Sequence, residues 1–522
     1  MSAAYKKTKR NADGFDSGKK MKSKGENIDS SKRLGKIAGI TTIVVVVLFL
    51  ISLFIGSNYF RQKFTAVSID NVKYSITDFN YYYENVYIQY YNAMSGAGDF
   101  GSSMLPSRDT PLKNQIYNEE TGETWSDFFE KMALEQMKED NKIYLEAKKA
   151  GYQLPDEIKA EMETEIENLK SMGYATGYSD FSDYLRAAYG KSMTEKAYAE
   201  NLERSYLIDA YVNHVRDSYE YTPEQIEDYY RENKDKFDTF TYRYFLVSAV
   251  EIDKAEYPDE TLYEEAKAEA VKEAGLKAQE YAEKITDTQS FIDAAREYDS
   301  VTYKDDDASQ RIYKGELLGS IYGDWLRDEG RRYGDVSTFE MTNGHYVVMF
   351  EARDDNHYLT VNVQQIVVQQ ETVNKENYSE DEDGAAYEEA VATAKKTAKD
   401  TADKIHDEWL SGGATQDKLT ELTTTYSMEI SPTDSKLNEN VYKNQLPAEV
   451  DSWIYDPDRK PGDNTVIYVE SVGYYILNFI GNGEMYSDIL SDTQKRDKDL
   501  QAWKESLPFG EPKTTWLMAL KN

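Results

Sequence analysis

The sequence predicts an α+β protein with an N-terminal transmembrane helix, a mainly helical domain, and two tandem copies of one small α+β domain. Three observations carry this. Residues 37–60 hold no charge, residues 64–238 show helical periodicity with capping signals, and one composite pattern occurs twice. The pattern starts as FIDAAREYDS at Phe291 and as LTELTTTYSM at Leu419, an offset of 128. Trp325, followed nine residues on by Gly334-Asp335, returns at that offset as Trp453 with Gly462-Asp463. Each copy closes on GHYVVMF from Gly344 or GYYILNF from Gly473, and opens on a strand-like run, YRYFLV from Tyr242 or VQQIVV from Val363. Solenoid repeats have periods of about 20 to 50 residues, so this spacing describes duplicated domains.

The chain has 522 residues, no cysteine and a formal charge of −34. No disulfide can staple it, and no thiolate can act as nucleophile or metal ligand. Residues 1–36 hold 11 basic against 4 acidic residues, which leaves −41 for the remainder. That acidic bulk repels phosphate backbones and argues against nucleic acid as a partner. The basic tail 1–36 is too polar to form a core and is expected to be disordered. The uncharged run 37–60, at about 1.5 Å per residue, reaches across a hydrocarbon core of about 30 Å. Lys32, Arg33 and Lys36 on its flank put the N-terminus in the cytoplasm and the bulk outside, a signal-anchor rather than a cleaved signal peptide.

Past the membrane, AVSIDNVKYS reads as a hairpin turning at Asp70-Asn71, and Ser75 with Asp78 reads as a capping box for a tyrosine-rich helix, FNYYYENVYIQYYN. These tyrosines are expected either to pack a helix face or to offer a client-binding surface. Residues 93–124, rich in glycine, serine and proline, read as a long loop. Helical spacing resumes at Phe129 and ends at Gly151 as a C′ residue, and Thr222-Pro223-Glu224-Gln225 marks another helix start. The expected domains are therefore a helical one over 64–238, copies over 239–356 and 357–482, and a C-terminal helix over 483–522.

This order of elements, with IDNVKYSITDFNYYY, LEAKKAGYQLPDEI, YTPEQIEDYYRENKDKF and TYRYFLV in succession, resembles the membrane-tethered or periplasmic foldases of the PrsA and SurA type. There a helical chaperone region carries inserted parvulin-like peptidyl-prolyl isomerase domains. Tyr298 and Tyr426 match the family's YS position, Tyr333-Gly334-Asp335-Val336-Ser337 its GEVS turn, and GHYVV and GYYIL its GYHI strand. The resemblance implies two core histidines per copy. This chain has Tyr244 and Tyr346 at those positions in the first copy, and Gln365 and Tyr475 in the second. His345 is adjacent, but strand alternation points it to the opposite face. No catalytic residue is therefore assigned. Trp325 and Trp453 fall near the family's pocket phenylalanine and, with Tyr298 and Tyr426, are the expected substrate-binding residues unless they are simply core. The C-terminal helix is expected to return to the helical domain, with Trp503, Trp516, Leu517, Met518 and Leu520 supplying the contact surface.

No metal or other cofactor is expected. His214, His345, His357 and His406 are too scattered for a zinc motif, and SEDEDG from Ser379 and the run Asp305-Asp306-Asp307 read as solvated acidic loops, with weak calcium binding as the alternative. No GxSxG, SxxK or phosphate-binding loop is present. The expected function is a membrane-anchored extracytoplasmic chaperone or foldase for unfolded exported polypeptides, its parvulin-like copies weak or inactive as isomerases, with a homodimer as one arrangement. The alternatives are an active prolyl isomerase and an envelope scaffold holding one folded partner.

Overall fold

The computed structural model describes residues 30–378, 384–431, 433–470 and 472–521, without the side chains of 30–41 and 99–100. The SEDEDG run and the tail before Ser30 lie largely outside these residues. The chain forms two compact units, Met1–Asn213 with Ser506–Asn522, and His214–Glu505.

In the first unit, α1 (Ser30–Gly56) is followed by the short α2 (Asn58–Lys63). The expected 37–60 helix is thus broken at residue 57. The Ser57 hydroxyl donates to the Phe54 carbonyl at 2.6 Å and accepts the Phe60 amide at 3.2 Å, which restarts the backbone in a new direction. Phe60 is buried in the core of this unit. Among the described residues no helix is long and apolar enough to cross a membrane.

The expected hairpin is β1 (Thr65–Ile69) and β2 (Val72–Ser75), with Asp70 at φ 50° in its turn. Ser75 and Asp78 close a capping box on α3 (Ile76–Gly96). Residues 93–124 are more ordered than a loop: they hold α4 (Gly98–Ser103), β3 (Ile116–Asn118) and β4 (Glu123–Thr124). Then come α5 (Trp125–Lys149), α6 (Asp156–Ala175), α7 (Phe181–Tyr189) and α8 (Glu195–Asp217). Tyr81, Tyr82 and Tyr83 pack into the core with Phe79, Phe129, Leu185 and Leu202, so the first tyrosines of α3 form an interior rather than an exposed binding surface.

Among the described residues of this unit, Asp140 is the one carboxyl pushed far from its ordinary range, up to about 6, chiefly by burial. Gln136 donates to its Oδ1 at 2.6 Å, Tyr82 bonds it, and Asp209 and Glu139 add negative charge nearby. A carboxyl raised in this way favours folding when protonated, so its penalty is absent at low pH and grows as pH rises through about 6. Asp140→Asn is expected to stabilise the unit by about 1–2 kcal/mol at pH 7, allowing for partial exposure, and to lose that advantage by about pH 4. Urea denaturation at the two pH values measures both.

The second unit begins with α9 (Pro223–Phe237), whose N-terminus is capped by Thr222 and Gln225 with Pro223 at N1. Expected to belong to the helical domain, α9 instead packs with the repeats. Arg353 reaches Asp235 at 2.7 Å and Asp238 at 2.5 Å, and the Tyr230 hydroxyl bonds Asp238 and the Asp355 carbonyl.

The first repeat is β5 (Thr239–Ser248), α10 (Glu260–Lys284), α11 (Thr288–Tyr298), β6 (Gln310–Lys314), α12 (Gly323–Arg327), β7 (Val336–Met341) and β8 (Gly344–Asp354). The second is β9 (Leu359–Gln369), α13 (Gly384–Ser411), α14 (Gln416–Thr425), β10 (Lys436–Val441), α15 (Ala448–Ile454), β11 (Asn464–Val469) and β12 (Gly473–Met485). Both sheets are antiparallel with one order, β6-β5-β8-β7 and β10-β9-β12-β11. Even the glycines that open the last strands correspond. A Cβ on Gly344 would meet the Val247 carbonyl oxygen at 2.2 Å, and one on Gly473 the Val368 carbonyl oxygen at 2.1 Å.

After α16 (Tyr486–Ser506) the chain rejoins the first unit. A two-residue strand, β13 (Lys513–Thr514), pairs with β1, and Leu517 and Met518 enter the core. The returning segment is therefore this strand and turn rather than the helix, and Trp516 is largely exposed.

Candidate functional site

Strand alternation gives each repeat two apolar faces. In the first repeat Phe245, Val247, Val347 and Met349 meet α10 and α11 through Ala274, Ala278, Tyr281 and Phe291. The other face holds Phe240, Tyr242, Val348 and Phe350, with Tyr244, Tyr322, Trp325, Phe339 and Tyr346 only partly buried around them.

The two positions where the family resemblance implies histidine come together on this second face. The rings of Tyr244 and Tyr346 meet edge to face at 5.4 Å, and Tyr322 lies 6.2 Å from Tyr244 and 5.6 Å from Tyr346. Trp325 extends the cluster through Phe339 at 5.6 Å. Arg311 stands 4.9 Å from the centroid of Tyr244, with Nη2 3.4 Å from its hydroxyl. Burial raises the Tyr322 hydroxyl, and Tyr242, 3.3 Å away, is raised well out of the physiological range for the same cause. These groups stay neutral at pH 7. The face therefore offers aromatic surface and hydroxyl donors.

His345 takes no part. It pairs with Val247 across the sheet and lies against Gly275 of α10, where an added Cβ would sit 2.6 Å from its Nε2. His357 belongs to the α9 junction, where burial pushes its imidazole down but the contacts with Glu227 at 3.3 Å and with the Asp355 carbonyl hold it above its ordinary value. His406 contacts Asn464 at 2.9 Å. Among the described residues no group of three or more His, Asp or Glu is placed to hold a metal ion.

The second repeat packs the same face mainly with aliphatics, beside Phe479 and the partly buried Trp453 and Tyr455. Val361, Val363, Val367, Val441, Val450, Ile454 and Leu477 surround Tyr475. Gln365 is buried, with Nε2 donating to the Asp434 carbonyl at 2.6 Å and Oε1 lacking a hydrogen-bond partner. The faces thus share topology and differ in that the first gathers its partly buried rings into one cluster.

The expected substrate-binding residues divide between faces. Trp325 and Trp453 flank the second face of their repeats. Tyr298 and Tyr426 lie on the helix face, where the Tyr298 hydroxyl accepts the Ser248 amide at 2.8 Å and the Tyr426 hydroxyl donates to Glu408 at 2.7 Å. The structure therefore does not bring these four together.

A repeated lock holds each tryptophan. Arg331 lies 4.7 Å from the ring centroid of Trp325 and pairs with Asp328 and Asp335; Arg459 lies 4.0 Å from that of Trp453 and pairs with Asp456 and Asp463. Asp335 and Asp463 also accept the amides of Arg332 and Lys460, and Gly334 and Gly462 have φ of 85° and 92°. Sequence reasoning found the Gly-Asp turns and missed the arginines, although a W-x2-D-x2-R-x3-D spacing is present in both copies. It also missed Tyr322, Phe339 and Arg311, which come from three separate elements.

No protein-family model and no curated protein matches the chain. Among solved structures the chain is similar to PrsA-type foldases and SurA-like chaperones. A PrsA peptidylprolyl isomerase from Bacillus anthracis is 12% identical, covering 51% of this chain and 96% of its own, with a TM-score of 0.22. The foldase protein PrsA from Streptococcus pneumoniae is 14% identical over 53% and 92%, with a TM-score of 0.21. A SurA-like chaperone structure from Campylobacter jejuni is 15% identical over 38% and 71%, with a TM-score of 0.17. TM-scores this low leave the assignment of function to the residues and their geometry.

Proposed function

We propose that this protein is an extracytoplasmic chaperone that binds unfolded exported polypeptides on the aromatic face of its first repeat, with both repeats weak or inactive as prolyl isomerases. The observation that carries this reading is the partly exposed cluster of Tyr244, Tyr322, Trp325, Phe339 and Tyr346, assembled where the family resemblance implies imidazole. Lowering the prolyl barrier of about 20 kcal/mol requires a pocket that perturbs the amide, and the second repeat's face is packed with its own side chains. Aromatic rings bind unfolded segments by burying apolar surface and tolerate varied sequences. The acidic exterior keeps a loaded complex soluble.

Attachment to the membrane through residues 37–60 is part of the proposal. It is supported by the uncharged run itself and by the exposure of Ile43, Val44, Leu48 and Phe49 around α1, apolar side chains that no protein core covers.

Light scattering of a chemically denatured test protein diluted into the full-length chain tests the reading. The wild type is expected to suppress aggregation, and Tyr322→Ala/Trp325→Ala/Tyr346→Ala to lose at least about half of that suppression; equal suppression by the variant contradicts the site. A proline-peptide assay is expected to show little rate enhancement, whereas efficient turnover abolished by Tyr244→Phe would establish the isomerase reading.

A further inference from the structure

The second unit holds a cavity of about 340 Å³ where its two repeats meet, lined by none of the five residues of the aromatic cluster described above. The join is built from short polar contacts. Asn356, at φ 57°, donates through Nδ2 to the Phe237 carbonyl at 2.8 Å and accepts from Thr239 at 3.1 Å. The amides of Tyr486 and Ser487 return to the carbonyls of Tyr358 and Asn356 at 2.9 and 3.0 Å. Such a join fixes the cavity walls relative to one another.

Four tyrosines line the cavity, Tyr313 and the neighbouring rings of Tyr358, Tyr442 and Tyr486. Tyr442 and Tyr486 stack at 4.7 Å with 11° between their planes, and Tyr358 lies 5.5 Å from Tyr486. The ammonium of Lys314 stands 5.5 Å from the Tyr486 centroid and 5.9 Å from that of Tyr442. The charges around it are mostly engaged elsewhere. Lys443 pairs with Asp354 at 3.4 Å and stands 3.9 Å from the Tyr358 centroid, while the exposed Glu316 accepts from Gln494 at 2.8 Å. Among the described residues no carboxylate lies within ion-pairing distance of Lys314. Burial lowers its ammonium, and the charge of Glu316, beyond ion-pairing distance, offsets this only in part. A half-buried cation with no anion in direct contact is a costly group, and an incoming anion at contact distance would recover that cost.

We propose that this cavity binds a carboxylate carried by a polypeptide, with Lys314 as counter-ion and the rings of Tyr358, Tyr442 and Tyr486 as walls for the flanking residue. The ring planes suit a peptide group or an aromatic side chain, and the volume admits a short segment rather than a folded surface. The site is separate from the aromatic face of the first repeat, and its occupancy does not depend on the chaperone reading.

Isothermal titration of the full-length chain with N-acetyl-Ala-Ala-Phe as free acid, the same peptide as its amide, and N-acetyl-Ala-Asp-Phe-amide tests this. The free acid is expected to bind at least about tenfold more tightly than its amide. The aspartyl peptide identifies the source of the carboxylate: affinity equal to the free acid assigns a side chain as well, and weaker affinity assigns a chain terminus. Lys314→Met is expected to remove the preference and Lys314→Arg to keep it, with thermal midpoints confirming that both variants fold. Equal affinity for acid and amide, absence of binding by both carboxylate peptides, or an unchanged preference in Lys314→Met overturns the proposal. The acid-to-amide comparison on the wild type decides it even if Lys314→Met does not fold.

Discussion

Removing residues 506–522 is expected to unfold the first unit while the repeats keep their structure. The C-terminal segment is part of that unit's core and sheet. Thr514 pairs with Val67, the Thr515 amide donates to the Ala66 carbonyl at 2.9 Å, and Arg61 reaches back to the Leu520 carbonyl at 2.8 Å. Leu517 and Met518 are buried, and emptying two such positions costs about 2–5 kcal/mol each. Against a typical domain stability of about 5–15 kcal/mol, that loss removes most of the margin. Limited proteolysis followed by mass spectrometry is expected to show rapid cutting within residues 64–213 and protection across the two sheets. Leu517→Ala/Met518→Ala should reproduce the effect, and Lys513→Ala, at an exposed side chain, should not. Equal protease resistance in the truncated chain would contradict this account of the core.

The second large effect lies at the ion pair inside the first repeat. Arg243 and Glu351 meet at 2.7 Å with side chains 6% and 9% exposed. Arg243 also donates to the Asp306 carbonyl at 2.6 Å and Ser309 at 3.1 Å, while Glu351 accepts from Gln310 at 2.6 Å and Thr288 at 2.7 Å. Burial alone would raise the Glu351 carboxyl, but these hydrogen bonds and the guanidinium hold it below its ordinary range. A carboxyl lowered in this way stabilises the fold above its ordinary value and loses that contribution as pH falls through its folded value. Arg243→Met strands the carboxylate and is expected to cost about 3–5 kcal/mol at pH 7. In that variant the carboxyl is raised instead, so the deficit should shrink on going from pH 7 to pH 5. Arg243→Met/Glu351→Leu should recover most of the loss. Guanidinium denaturation at the two pH values checks each step, and a deficit that grows at pH 5 would contradict the assignment.

Local signals were legible where a few adjacent residues settle the backbone. The hairpin at Asp70, the capping boxes at Ser75 and Thr222, the Gly-Asp turns and the strand-opening glycines all follow from such short spans. The duplicated fold was legible because most of its pattern recurs at an offset of 128, with one residue of slip by Gly344 and Gly473, and the two sheets share one strand order. The membership of α9 was not, because its partners Arg353 and Asp355 lie more than a hundred residues away. Nor was the fate of the tyrosines. The same residue type packs the core as Tyr82, forms the partly exposed cluster as Tyr346 and satisfies a strand amide as Tyr298, and only burial separates these roles. The aromatic face itself draws on β5, α12, β7 and β8, so its assembly depends on the sheet order rather than on any one motif.

The most direct measurement of the central claim places a photo-crosslinking phenylalanine analogue at Trp325 in the full-length chain and compares captured species in cells. The account predicts crosslinks to many unrelated exported polypeptides, lost when Tyr322 and Tyr346 are replaced by alanine. A single folded partner captured in constant proportion, or no capture from this face, would contradict it.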